Sequence, residues 1–117
     1  MFVNISNHPS AKWAATQLES ARQLGGDVRD IQFPNVPADA DESAILEMAD
    51  QLANQVAEGD VVMVQGEFSL TFAVTSLLKQ RGLQVVVGCS ERRVVENADG
   101  SKTAVFEFAR FRNVVAR

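Results

Sequence analysis

Short apolar runs alternate with amphipathic stretches along most of the chain. Phe2 to Ser6 is apolar apart from Asn4 and Ser6, and predicts a first strand. Asn7-His8-Pro9-Ser10 breaks it, because Pro9 cannot continue a central strand and suits the entry to a helix. From Ser10 or Ala11 to Leu24 the pattern turns helical, with Ala14, Leu18, Ala21 and Leu24 recurring every three or four residues. Gly25-Gly26 supplies the C-terminal stop. Val28 to Phe33 reads as a second strand and Pro34-Asn35-Val36-Pro37 as a loop. Asp39 or Asp41 can cap a second helix whose apolar stripe is Ile45, Met48, Leu52 and Val56, closed by Gly59.

Asp60 to Gln65 holds four consecutive apolar residues, the mark of a strand buried on both faces. Gly66-Glu67-Phe68-Ser69 turns the chain into a third helix, Leu70 to Arg81, ended by Gly82. Leu83 to Val87 is a fourth strand, followed by Gly88-Cys89-Ser90-Glu91-Arg92. Arg93 to Glu96 and Thr103 to Phe111 then pair as a hairpin across Asn97-Ala98-Asp99-Gly100, residues that tolerate positive φ. The order βαβαβαβ plus a hairpin predicts one α/β domain over residues 1–117. It is a Rossmann-like three-layer α/β/α fold with a mostly parallel sheet of about six strands and right-handed crossovers.

Composition narrows the function classes. The chain has 117 residues, 46% of them apolar, enough for one core. No apolar run approaches the roughly 20 residues that span a bilayer, and no signal peptide is read at Met1 to Ile5, so no membrane partner is expected. The single cysteine, Cys89, allows no internal disulfide and points to a reducing, cytoplasmic location. A net charge of −4 argues against long nucleic acid, which is bound by counterion release to basic surfaces. A small anion held by local donors remains open. One His and one Cys without clustered partners give no metal site, and there is no Walker loop, dinucleotide fingerprint or Gly-x-Ser-x-Gly elbow to call for a cofactor.

Ligands on such sheets bind beyond the carboxyl ends of the strands, near the reversal of strand order. Three strand tips lie there. The first, Ser6 to Lys12, sets Asn7, His8, Ser10 and Lys12 at a helix start, where free N–H groups favour anions; alternatively Asn and Ser merely cap that helix. The second offers Gly66, Glu67 and Phe68: the glycine lets a ligand approach the backbone. Glu67 can hold a sugar hydroxyl, orient a lysine, act as a base, or simply favour the helix dipole. The third offers Ser90, Glu91 and Arg92, a bidentate phosphate contact or a surface Glu-Arg pair. Cys89 reads as a small hydrophobe before it reads as the nucleophile of a Cys-His pair. Trp13 reads as core or interface, and Phe106, Phe108, Arg110 and Arg112 share one strand face by alternation, as a sheet or dimer surface.

The same tips carry a resemblance. Asn4 to Ser10 (Asn-Ile-Ser-Asn-His-Pro-Ser), Lys12-Trp13, Asp30 to Pro34, Gly66-Glu67-Phe68 running into Thr71-Phe72, and Ser90-Glu91-Arg92 resemble a family of small CRISPR-associated proteins. These resemble stand-alone CARF domains, Rossmann-like sensors of cyclic oligoadenylate in type III CRISPR systems. The resemblance implies a homodimer that binds a cyclic oligoadenylate, cyclic tetra-adenylate foremost, in a twofold crevice, with no cofactor. It implies either sequestration of the messenger, as a sponge, or metal-independent cleavage by a ring nuclease to linear products with a 2′,3′-cyclic phosphate. Cleavage requires in-line attack of a 2′-hydroxyl, for which Ser10, Lys12, Ser90 and Arg92 can supply donors and His8 or Glu67 a base, although the spacing demands no base. An interaction subunit that binds no nucleotide is the remaining alternative.

Overall fold

A computed structural model describes residues 1–115. Its strands are β1 (Phe2–Ser6), β2 (Val28–Gln32), β3 (Val61–Gln65), β4 (Gln84–Glu96) and β5 (Lys102–Asn113); its helices are α1 (Ala15–Gly25), α2 (Glu42–Ala53) and α3 (Phe68–Gln80). They form one sheet in the order β2-β1-β3-β4-β5. The first four strands are parallel and β5 runs antiparallel to β4. Among the described residues no helix is long and apolar enough to cross a membrane.

The handedness of crossovers explains the layers. The chain steps outward from β1 to β2, then reverses across β1 to β3 and continues to β4. Right-handed connections therefore put α1 on one face and α2 and α3 on the other. Side-chain alternation along the strands fills both faces. Val3, Ile5, Val62, Val64 and Val85 pack with Leu52, Leu70, Val74 and Leu78 on the α2/α3 side. Phe2, Met63, Val86 and Phe111 pack with Trp13 and Ala21 on the α1 side. The continuous apolar strands of the sequence are thus buried twice over, and Asp41 is the residue that caps α2, its Oδ1 accepting from the Ala44 N–H at 2.9 Å.

Three expectations need correction. The sheet has five strands: Gly88 to Arg92, read as a connection, is strand, so the fourth strand and the first hairpin arm are one element of 13 residues. Only Gln84, Val85 and Val86 of β4 pair with β3, and the rest of β4 has β5 as its sheet neighbour. The first helix begins late. Ser10–Lys12 form a separate 3-10 turn, Trp13 and Ala14 are extended, and α1 starts at Ala15. Finally, a bulge between Cys89 and Ser90 sets Cys89 opposite Arg110 and Ser90 opposite Phe108, leaving Ala109 as the extra residue. Strict alternation would align Phe106, Phe108, Arg110 and Arg112. The bulge instead brings Phe111 round to Phe108, with ring centroids 4.9 Å apart, and buries Phe111 beneath α1.

Two glycines are there for close packing. A Cβ on Gly25 would lie 2.7 Å from the Phe2 backbone nitrogen, so the end of α1 could not rest on β1. A Cβ on Gly66 would lie 2.5 Å from the ring of Phe33, a buried core residue. Gly66→Ala is therefore expected to destabilise the fold by about 1–3 kcal/mol, as overpacking does. Chemical denaturation of Gly66→Ala, Phe33→Leu and the double variant checks this: the double should lose less than the two singles added together.

Candidate functional site

β1 carries two polar residues on its α1 face, Asn4 and Ser6, both buried. Buried polar groups must be paired, and these two tie the strand tip into a knot. Asn4 Nδ2 donates to the carbonyl of His8 and to Asp30 Oδ1, each at 2.9 Å. Asn4 Oδ1 accepts from the Ser6 hydroxyl at 2.7 Å, and Ser6 Oγ accepts the His8 N–H at 3.1 Å. The His8 carbonyl takes a further bond from Trp13 Nε1 at 3.1 Å. Asp30, on β2, also accepts from the N–H and hydroxyl of Ser10. Ser-Asn-His-Pro-Ser is thus a scaffold first: its backbone bends back on β1, and Trp13 closes it over the core.

Directly above this knot is a depression of about 730 Å³. It sits where strand order reverses, at the carboxyl ends of β1 and β3 and along β4, the ligand position of doubly wound sheets. Asn7, His8 and Lys12 line it from the first tip, Gln65 and Gly66 from the second, and Gly88 and Ser90 from β4. Trp13, Ala14 and Gln17 form the wall toward α1; Phe106 and Phe108 form the wall toward the hairpin. Ala14 is the N-cap of α1 and no side chain caps that helix. Among the described residues no carboxylate lines the depression, although the chain has 15 Asp and Glu. Its ionisable groups are Lys12 and His8, surrounded by amides, hydroxyls and aromatic edges.

The expected residues divide accordingly. Asn7, His8, Lys12, Gly66 and Ser90 come together in one depression. Ser10 is held by Asp30 and lies outside it. Glu67 turns to its own helix, its carboxylate accepting from the Ser69 N–H at 2.7 Å, the Leu70 N–H at 3.0 Å and the Ser69 hydroxyl. Phe68, the first residue of α3, is 82% exposed and away from the depression. Glu91 and Arg92 lie further out on β4, Arg92 opposite Phe106. Cys89 falls between two lining residues and so on the other face of the strand from Gly88 and Ser90, away from His8. Gln17, Gln65, Phe106 and Phe108 were not expected in a site. Gln65 adjoins Gly66, while Gln17, Phe106 and Phe108 reach the site only through the placement of α1 and β5 over the sheet. Among the described residues no three His, Cys, Asp or Glu gather to hold a metal ion.

The two anion positions at the expected helix starts are therefore taken by the protein's own acids: Asp30 at the 3-10 turn and Glu67 at α3. The Ser69 hydroxyl, then the N–H groups of Ser69 and Leu70, hold the Glu67 carboxyl below its ordinary pKa. A depressed folded-state pKa contributes stability above the unfolded value and loses it as pH falls through the folded one. The stability difference between the native chain and Glu67→Gln should be constant near neutrality and shrink below about pH 4.5, the ordinary glutamate value. Urea titrations at a series of pH values measure it. Asn4→Ala removes the bonds to the His8 carbonyl, Asp30 and the Ser6 hydroxyl together, leaving the His8 carbonyl to Trp13 and Ser6, and should cost roughly 1–3 kcal/mol. Its readout is denaturant unfolding, with faster amide exchange of His8 as a local signature.

No curated protein and no solved structure matches the chain. A family model, that of the Uncharacterized protein MJ1673 family, matches residues 1–112, and the chain belongs to that family.

Proposed function

We propose that the protein is a Rossmann-like, CARF-like binding module for a cyclic oligoadenylate, cyclic tetra-adenylate foremost, which it sequesters in type III CRISPR signalling. One observation carries the reading furthest: among the described residues of an acidic chain, no carboxylate enters the depression at the topological switch point, where Lys12 and His8 stand. Phosphodiester oxygens suit Lys12 and the amides of Asn7, Gln17 and Gln65, and adenine faces suit Phe106 and Phe108. The resemblance carried by the strand tips supplies the ligand class. The depression falls in the size range that buries one small ligand. A ring of four nucleotides asks for two such half-sites, hence a homodimer with matching twofold symmetry.

Sequestration is favoured over cleavage by Glu67. A carboxylate saturated by its own helix and held below its ordinary pKa is a poor proton acceptor. His8 at the depression is the feature that favours the ring-nuclease alternative.

Calorimetry with rings of three, four and six adenylates, followed by chromatography of the ligand in EDTA, tests the reading. One intact cyclic tetra-adenylate per dimer supports it. Multiple turnover to linear 2′,3′-cyclic phosphate product assigns the ring nuclease, and the absence of any binding assigns an interaction subunit. Lys12→Ala should weaken binding about tenfold or more, since hydrogen bonds to charged groups contribute roughly 1.5–3 kcal/mol. Arg29→Ala, whose guanidinium bonds the Gln55 carbonyl at 2.6 Å beyond β2, should bind normally.

A further inference from the structure

After Val86, β4 parts from β3 and runs on with β5 as a two-stranded ribbon. One face of the ribbon carries Ser90, Phe108, Phe106 and Val94, and the other carries the Arg93–Glu107 ion pair. Gly88 stands at the parting, on the face that looks into the depression. A glycine inside a strand costs stability against alanine. Where it persists it marks a bulge, a sharp bend, or the close approach of a backbone or a ligand. The other six glycines of the chain are accounted for: four lie at positive φ, and Gly25 and Gly66 rest against neighbouring atoms. Gly88 has neither reason. Its φ is not positive, so no bend demands it, and the extra residue of the adjacent bulge is Ala109, on β5. The three atoms nearest a Cβ built on it all belong to side chains, at ordinary contact distances: Gln65 Oε1 at 3.4 Å, Phe111 Cε1 at 3.8 Å and Gln17 Nε2 at 3.9 Å. The fold has room for alanine there, so of those causes a ligand is left.

We infer that the open floor above Gly88 is the base subsite of the depression, and that Gln65 is the residue that selects adenine there. Extending the β3–β4 register by two residues puts Gln65 beside Gly88, and Gln17 reaches the same point from the first turn of α1. Among the described residues neither side-chain amide has a hydrogen-bond partner, whereas Asn7 Oδ1, another acceptor of the lining, is taken by Gln32 Nε2 at 2.7 Å. The two glutamines can donate to phosphodiester oxygens, but Gln65 turns an acceptor oxygen to the floor, and the edge of the Phe111 ring lies next to it. An oxyanion is poorly served by either group, and a flat heterocycle is served by both. Adenine offers an N6–H donor beside the N7 acceptor, and a glutamine amide matches that edge with two hydrogen bonds, its oxygen accepting and its nitrogen donating. A 6-oxo purine presents two acceptors there and forfeits one of the bonds. The base can reach the amide because no side chain stands on Gly88, while Lys12 and His8 remain for phosphate. This rests on the depression being the adenylate site and adds the residue that tells one base from another.

Calorimetry of the full chain with cyclic tetra-adenylate, its deaminated counterpart cyclic tetra-inosinate, and adenosine and inosine 5′-monophosphates tests this, beside urea unfolding of each variant. The native chain should prefer an adenine ligand to its inosine counterpart by about tenfold or more, the scale of one good bidentate pair. Gly88→Ala should weaken binding by about tenfold or more, as overfilling a packed contact does. It should nevertheless unfold at an equal or higher urea concentration, since alanine suits a strand better than glycine. Gln65→Met, similar in length and without the amide, should bind the adenine and inosine ligands alike. A Gly88→Ala chain that binds as the native one does, or that unfolds at lower urea, overturns the subsite. A native chain without the adenine preference, or a Gln65→Met chain that keeps it, overturns the role of Gln65. If adenosine monophosphate is bound in a way that depends on Gly88 and Gln65 while neither ring is, the subsite stands and the cyclic-ligand reading falls. Binding of none of these ligands overturns both.

Discussion

The site depends on one buried amide. Asn4 stands in the middle of a strand whose five residues are all buried, where an apolar side chain would be the easy choice. Its two N–H bonds, to the His8 carbonyl and to Asp30, hold the loop after β1 and couple it to β2. Everything at the first tip follows from that. His8 and Asn7 face the depression because the backbone between them and Ser6 is pinned. Trp13 can close the core because its indole N–H finds the same His8 carbonyl. A buried polar network of this kind is useful only when every member is satisfied, and here each side chain has its partner.

The architecture was largely legible because buried parallel strands leave a strong trace. Val61 to Val64 and Val85 to Val87 have no alternation to confuse, and Gly26, Gly59 and Gly82 sit at positive φ where the helices or their following turns end. Asn97 to Gly100 also make the expected turn, with Gly100 at φ 86°. What failed was the stretch from Gly88 to Arg92. A strand wet on both faces has no apolar period, so Gly-Cys-Ser-Glu-Arg looks like a loop. The bulge at Ala109 was equally silent, since its cause lies in the pairing with β4 and not in any local residue.

The candidate site was legible by position more than by role. Strand tips pointed to the right end of the sheet, yet several of their polar residues serve the fold. Ser10 and Glu67 look like ligand groups in a linear reading, because a hydroxyl and a carboxylate at helix starts are what recognition sites use. They are also what caps use, and only the hydrogen bonds distinguish the two. Gly66 shows the same ambiguity: its missing side chain makes room for the Phe33 ring. Residues that do line the depression, such as Gln17 and Phe108, carry no motif and become visible only when α1 and β5 are placed over the sheet.

The ribbon has a further consequence for how this chain can change. Outward of Ser90 and Phe108 its residues lie in neither core, so its length there is free of the packing that constrains the rest of the domain. The pleat still counts. Adding one residue to each arm turns everything outward of the insertion over, exchanging the face of Phe106 and Val94 for that of the Arg93–Glu107 pair. Adding two to each arm restores the faces and only lengthens the reach. Growth and shrinkage of this arm should therefore come in steps of four residues, a periodicity imposed by backbone geometry on the history of its lengths.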